Sequence, residues 1–271
     1  MARPDEDITD WAGRLERAIE RIDAQVGGQA GSCCVSEVFV YQRVSSTQDA
    51  AHRHRDPGGG VLAVASDQTA GRGRLGRRWD DGQASTLPMS IALRTELDDV
   101  GLAARAGLAA LDACADRCPD AGVLIKWPND VIVRAGASDR KLAGVLIERR
   151  DGFAIIGIGV NVFEGASADE EPGASAPAYD AISFEDLGIT ADRCDLAIGL
   201  IDRLSYWLDA SDGAVRARWG ERDAMLGTRR GFNIDGETVE GTVIAIDPLS
   251  TITLRTKTGD RSLPVATIRT V

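Results

Sequence analysis

Apolar positions recur along this chain with two periods, and the changes from one to the other mark its elements. Between Asp10 and Val26, residues Trp11, Leu15, Ala18, Ile19 and Ile22 share one side of a helical repeat, and Gly27-Gly28 ends it. Glu37 to Val44 reads as a strand. Ser45-Ser46-Thr47-Gln48-Asp49 then suits the cap of a short helix, Asp49 to His54, and side chains at such a junction also commonly bind ligands. Asp56 to Gly60 is a loop, Val61 to Ser66 a buried strand and Leu87 to Thr95 another. A helix starts at Asp98-Asp99 and runs to about Cys118, with Ala104, Leu108, Leu111, Ala115 and Cys118 marking its buried face, until Pro119 stops it.

The second half continues in shorter pieces. Val123 to Lys126 predicts a buried strand leading into Trp127-Pro128-Asn129-Asp130, and Val131 to Arg134 resumes it. A hairpin at Ala135 to Asp139 leads to Arg140 to Glu148. Phe153 to Val162 follows, with glycines where something must come close. Strands joined by short hairpins, with helices inserted between some of them, predict an α+β fold: a mixed sheet with helices on one face, not a doubly wound one. Glu164 to Ala178 is acidic and rich in small residues, as a mobile loop would be. Thr190 caps a helix through Asp209, with Leu196, Leu200, Leu204 and Leu208 on one stripe beside Trp207, and Gly213 to Asp223 is also helical.

From Met225 the pattern turns to short Val-, Ile- and Thr-rich strands: Thr228 to Ile234, Thr238 to Ile246, Thr251 to Lys257 and Ser262 to Ile268. Four or five such strands in about 47 residues have the size of an SH3-like barrel, too small to be stable without docking on the rest. Two domains are therefore expected, 1–224 (with 1–35 as a helical extension) and 225–271.

Charge narrows the function. A net charge of −11 argues against general nucleic-acid binding, which needs a broad basic face. Only about 35 residues precede the first strand, roughly half of what a winged helix-turn-helix needs, so no DNA-reading domain is expected. No run approaches the roughly 20 apolar residues of a membrane span, and the N-terminus lacks a signal-peptide stretch, so the expected setting is cytoplasmic. The five cysteines are scattered, as reduced thiols are. Cys114 and Cys118 read as core thiols and not half a metal site, because the only histidines are His52 and His54.

Against that acidic background stands Asp67 to Trp79, D-Q-T-A-G-R-G-R-L-G-R-R-W. Its glycines let the backbone approach a ligand, and Arg72, Arg74, Arg77 and Arg78 supply planar cations that match carboxylate or phosphate oxygens. A pocket for an anionic small molecule, a basic surface loop and an RNA-backbone contact are all readings of this stretch. Lys126 and Lys141 each sit at a strand end in an apolar segment, placed to meet an anion or to snorkel to solvent.

Taken together, the segments resemble the biotin protein ligase (biotin–acetyl-CoA-carboxylase ligase) family. The matches are S-T-Q at 46–48, Q-T-A-G-R-G-R-L-G-R-R-W at 68–79, K-W-P-N-D at 126–130, K-L-A-G-V-L-I-E at 141–148, G-I-G-V-N-V at 157–162 and A-I-S-F at 181–184. The resemblance runs from about residue 37 to the C-terminus. It implies the biotin–lipoate ligase fold, similar to class II synthetases, with a C-terminal SH3-like barrel, in the monofunctional type without a DNA-binding domain. It also implies a two-step reaction. ATP and biotin, with Mg²⁺, give biotinyl-5′-adenylate and pyrophosphate; a lysine of a biotin carboxyl carrier domain then attacks the mixed anhydride.

By the same resemblance, Ser46, Thr47, Gln48 and Gln68 would hydrogen-bond biotin, and Gly71, Arg72, Gly73 and Arg74 would close over the ligand. Lys141, with Gly144 in its segment, would touch biotin and the phosphate, and Lys126 the phosphate. Asn129, Asp130 and Asn161 would lie near the nucleotide. Lys141, Arg74 and Asp130 are the catalytic candidates, Asp130 either holding Mg²⁺ or accepting a proton from the incoming lysine. Trp79 is either a wall of the site or a core indole. The residue chemistry agrees, because joining a carboxylate to an α-phosphate requires fixed cations to cancel their repulsion.

Two departures stand out. Ser45 replaces a usually acidic residue, and Thr86 to Ser90 reads T-L-P-M-S, where Pro88 predicts an edge strand or a bulge. Competing readings are a lipoate–protein ligase, whose R-R-x-G-G-G segment is missing here, a biotin-sensing repressor and an RNA-binding module. Monomer and homodimer are both compatible with the sequence.

Overall fold

A computed structural model describes residues 7–26, 33–79, 84–135, 138–165 and 180–270. The acidic segment predicted at Glu164 to Ala178 lies, from residue 166 onward, outside the described residues.

The main sheet has eight strands. Across it run β1 (Glu37–Val44), β2 (Val61–Gln68), β5 (Thr86–Leu93), β9 (Phe153–Asn161), β8 (Ser138–Arg150), β7 (Asp130–Ala135) and β6 (Val123–Lys126), with β10 (Asp180–Ala181) beside β8. The β1–β2 and β8–β10 pairs are parallel and the others antiparallel, so the sheet is mixed as expected.

Alternation along the strands gives the sheet two different faces. Leu62 and Val64 of β2, Met89 and Ile91 of β5, and Ile156 and Ile158 of β9 join one continuous core with α1 (Trp11–Val26), α3 (Asp99–Ala115) and α4 (Arg193–Asp209). Burying each such side chain contributes about 1.5–3 kcal/mol, so this face dominates stability. Ala63, Ala65, Ala92 and Ile155 point the other way, against Ala50 and Ala51 of the short α2 (Thr47–His54). Small side chains on both partners let α2 lie close to the strands, and this second face carries most of the expected site residues.

The helix stripes agree with the expected spacing in α1, where Trp11, Leu15, Ala18, Ile19 and Ile22 are all buried. In α3, nearly every residue from Leu102 to Cys114 is buried because α4 packs on its outer side, so the single stripe understates it. The α3 helix ends at Ala115, and Cys118 is buried in the turn beyond, its thiol on the Cys114 carbonyl at 2.9 Å. Asp192, not Thr190, caps α4 by accepting from the Asp195 N–H.

Pro88 sits neither on an edge nor on a bulge. Its strand β5 lies between β2 and β9, and the β2–β5 ladder ends at Val64–Met89, one residue before the proline. The missing N–H falls where that ladder has stopped.

After α5 (Asp212–Arg222) the chain forms a five-stranded antiparallel sheet ordered β14 (Gly259–Pro264), β13 (Thr251–Thr256), β12 (Glu237–Asp247), β11 (Arg229–Ile234) and β15 (Arg269–Thr270). Phe232 of β11, fully buried, meets the ring of Trp127 at 6.0 Å edge-on. Arg230 reaches Asp139 at 3.6 Å. The C-terminal sheet therefore braces the turn between β6 and β7 and the start of β8.

Candidate active site

The floor of the second face is made of glycines. Period-two alternation along β9 puts Gly157, Gly159 and Asn161 on one side, and Gly144 of β8 lies beside Gly159 in register. A Cβ at Gly157 would stand 2.6 Å from Gln48 Nε2, and one at Gly159 would stand 2.5 Å from the Trp79 ring. At Gly144 it would meet Lys141 Cε at 2.9 Å. Glycine is required here by close approach, because the side chains of Gln48, Trp79 and Lys141 lie directly on the backbone of the sheet.

Around this floor the strand-to-helix junction supplies polar groups. Ser46, buried, occupies the N-cap of α2 but makes no side-chain cap bond, and the helix begins at Thr47, two residues earlier than expected. Thr47 instead faces inward, its N–H donating to Gln68 Oε1 at 2.8 Å and its hydroxyl lying 2.8 Å from Ser90 Oγ. Gln48 donates to the Leu146 carbonyl at 3.4 Å. Buried polar atoms around this face that lack a hydrogen-bond partner include the acceptors Gln48 Oε1 and Asp130 Oδ1 and the donor Trp79 Nε1. Leaving such atoms unpaired costs about 1–3 kcal/mol each, so they mark places for a ligand's polar groups.

The arginine loop folds as a small hairpin, β3 (Gly71–Arg72) against β4 (Arg78–Trp79), around a single 3₁₀ turn at Arg74–Gly76. Its base lays the Trp79 indole over Gly144 and Gly159, on the glycine face of the sheet. Arg74 reaches Asn129 Oδ1 at 3.4 Å across the face. Asn129 is itself anchored by donating to the Val145 carbonyl at 2.5 Å. Arg78 points outward and donates to the Thr69 carbonyl at 3.1 Å. Arg74 and Arg78 thus face opposite ways.

Arg72 is held by two carboxylates. It donates to both oxygens of Asp49 at 2.9 Å and to Glu148 at 3.2 Å, and Arg150 bonds the same two acids at 2.6 and 2.7 Å. The sequence places Asp49 in the cap cluster and Glu148 in the K-L-A-G-V-L-I-E segment without giving either a role, and does not mark Arg150. The alternation of β8 was the available signal, since it puts Gly144, Glu148 and Arg150 on one face.

The lysines meet at the other end. Lys141 Nζ stands 2.9 Å from Asp130 Oδ1 and 5.2 Å from the Trp79 ring centroid. The Lys141–Asp130 contact is an ion pair by distance, but its angles fall outside hydrogen-bond geometry. Lys126 is buried, and desolvation pushes its ammonium down to about 8. Asp130 and Asp139 oppose that fall, while Arg230 and Lys141 add to it. Asn161, also buried, donates to the Lys141 carbonyl at 2.9 Å, and the Ile182 N–H donates to the same carbonyl at 2.9 Å. The A-I-S-F segment therefore packs beside Lys141 and Asn161.

Among the described residues no three His, Cys, Asp or Glu side chains gather into a metal cluster. Asp130 is the one acid among the expected site residues, with Oδ1 buried beside Lys141.

Residues 40–162 match the biotin/lipoate A/B protein ligase family. The chain is 35% identical over 188 residues to the biotin–[acetyl-CoA-carboxylase] ligase of Mycobacterium tuberculosis, covering 65% of this chain and 66% of that protein, slightly under two thirds of its length. It is 30% identical over 225 residues to the enzyme of the same name from Paracoccus denitrificans, covering 78% of this chain and 90% of that one. Its fold is similar to that of the biotin protein ligase from Aquifex aeolicus in complex with biotin and ATP (TM-score 0.71, 22% identity, 87% of this chain and 99% of that one). The strands, the glycine floor and the lysine–aspartate corner sit within, or directly beside, the matched segment, and the chain belongs to the biotin protein ligase family.

Proposed function

We infer that this chain activates biotin with ATP to biotinyl-5′-adenylate and transfers the biotinyl group to a lysine of a biotin carboxyl carrier domain. The observation that carries the reading is the pairing, on one sheet face, of unsatisfied polar atoms with a cation cluster. A cyclic urea both donates and accepts hydrogen bonds, which matches the orphan acceptor Gln48 Oε1 and the orphan donor Trp79 Nε1. Thr47, Gln68 and Ser46 line the same end.

At the other end Lys141 and Arg74 neutralise the biotin carboxylate and the α-phosphate, whose mutual repulsion is the barrier to step one. Both are preorganised, Lys141 by Asp130 and Arg74 by Asn129. Lys126 contributes a poorly solvated ammonium that gains from an anion more than an exposed lysine would. In step two the carrier lysine must lose a proton, and Asp130, whose Oδ1 lies 2.9 Å from Lys141 Nζ, either accepts it or serves as the Mg²⁺ carboxylate. A Mg²⁺ ion fits as one that arrives on the nucleotide's phosphates with Asp130 as its protein carboxylate, since such ions keep few protein ligands. Bound there, it would supply charge neutralisation at the phosphates.

No helix among the described residues is long and apolar enough to cross a membrane, and all five cysteines are unpaired, which fits a cytoplasmic setting. The test is incubation with biotin, MgATP and a carrier domain, followed by intact mass. Addition of one biotinyl group is expected; no addition, or equal addition when lipoate replaces biotin, overturns the reading.

A further inference from the structure

The guanidinium at the root of the arginine loop is already neutralised within the protein. Arg72 bonds Asp49 of α2 and Glu148 of β8, and Arg150 bonds both acids again, so the formal charges of the four groups sum to zero. The closure joins three elements: the helix that begins within S-T-Q, the first strand of the loop hairpin, and the strand that carries Lys141. Two carboxylates on one guanidinium repel each other, and Arg150 offsets that. The bidentate Arg72–Asp49 bond holds the Asp49 carboxyl at about 2, the Arg72 bond being the largest cause.

The position of this closure decides what it does. Gly71 pairs with Trp79 and Arg72 with Arg78, so the hairpin base is fixed while residues 73–77 form its tip. A Cβ at Gly71 would stand 2.5 Å from Gln68 Nε2 and from the Trp79 carbonyl, so the base cannot slide. Each member is between a fifth and two fifths exposed, and ion pairs this wet add little to global stability.

We propose that Asp49, Glu148 and Arg150 are positioning residues of the ligation reaction: by holding Arg72 they fix the hinge on which the 73–77 tip closes, and so keep the adenylate bound until the carrier lysine arrives. This rests on the ligase reading above. It separates the arginines by task, Arg72 as anchor and Arg74 as the group facing the nucleotide.

The test uses the full chain with biotin and MgATP and no carrier. Adenylate formation is followed by biotin-dependent pyrophosphate exchange, and adenylate release by dilution of labelled complex. Glu148→Gln and Asp49→Asn are expected to change formation by less than about threefold while speeding release about tenfold, the size of one lost charge-assisted bond. Glu148→Asp restores slow release, and Glu148→Gln adds nothing in an Arg72→Gln background. Arg150→Met, which spares both acids, provides an independent variant and is expected to speed release as well. Unchanged release in all of these variants, or an equal effect of Glu148→Gln with and without Arg72, overturns the inference alone. Absence of any adenylate from the unmodified chain overturns the ligase reading and this inference with it.

Discussion

Lys141 Nζ lies 2.9 Å from Asp130 Oδ1, and the two residues belong to adjacent strands whose register slips between Val131 and Ile132. Asp130 pairs with Gly144 and Ile132 with Lys141, so the irregularity brings an acid and a base to one corner that a regular ladder would set apart. On the proposed reaction, Lys141→Ala removes the cation placed to meet both reacting anions. Adenylate formation should fall about 10²–10³-fold, as when a single preorganised charge-stabilising group is lost. Circular dichroism should stay unchanged. Undiminished pyrophosphate exchange in this variant would take Lys141 out of the mechanism.

Burial of Lys126 gives a pH signature. Its ammonium titrates near 8 in the folded chain against an ordinary 10.5. The unfolded state binds this proton more tightly, so the lysine's contribution to stability rises as pH climbs from about 8 to 10.5 and is lowest below 8. Anion binding has the opposite sign, because it needs the charged form. KM for ATP should therefore increase as pH rises through 8, and Lys126→Arg, which stays charged, should flatten that rise. Parallel profiles for the two proteins would refute the assignment.

Trp79 rests on glycine backbone, and the site depends on that contact. Gly159→Ala would put a methyl 2.5 Å from the indole ring, at an overpacking cost of about 1–3 kcal/mol. The indole must shift, so biotin affinity should drop by tenfold or more while the fold persists. Titration calorimetry reads this directly, and wild-type affinity in the variant would show that Trp79 is not part of the wall.

The arginine hairpin has only two residues in each strand, and its tip contains Gly73 and Gly76. Such a segment orders fully only when an anion compensates the conformational entropy. Amide exchange across 71–78 should slow on adding biotin and ATP together. Equal protection with and without ligand would count against loop closure.

Phe232 links the C-terminal sheet to Trp127 of the W-P-N-D turn. Phe232→Ala should destabilise the chain by about 3 kcal/mol and raise KM for ATP more than KM for biotin, because the turn carries Asn129 and Asp130. A uniform loss of activity that tracks the folded fraction would assign Phe232 to stability alone.

Much of this protein was legible along the chain. Helical spacing from Trp11 to Ile22, the strand from Glu37 to Val44 and the change of character at Met225 all follow from local periodicity and turn chemistry, which need no partner to act. The residue types in G-R-G-R, K-W-P-N-D and K-L-A-G likewise announce anion chemistry, since glycine and fixed cations serve few other purposes in an acidic chain. What spacing could not supply is pairing across distance. Pro88 looked like an edge residue because a missing donor is visible in one dimension, whereas the end of a neighbouring ladder is not. Arg72 and Arg74 look alike in sequence; Asp49 and Glu148, brought together by a helix and a strand far apart in the chain, make one an anchor and leave the other facing Asn129. Which carboxylates stand beside which cation depends on residues far apart in the chain, and only the packed sheet determines that.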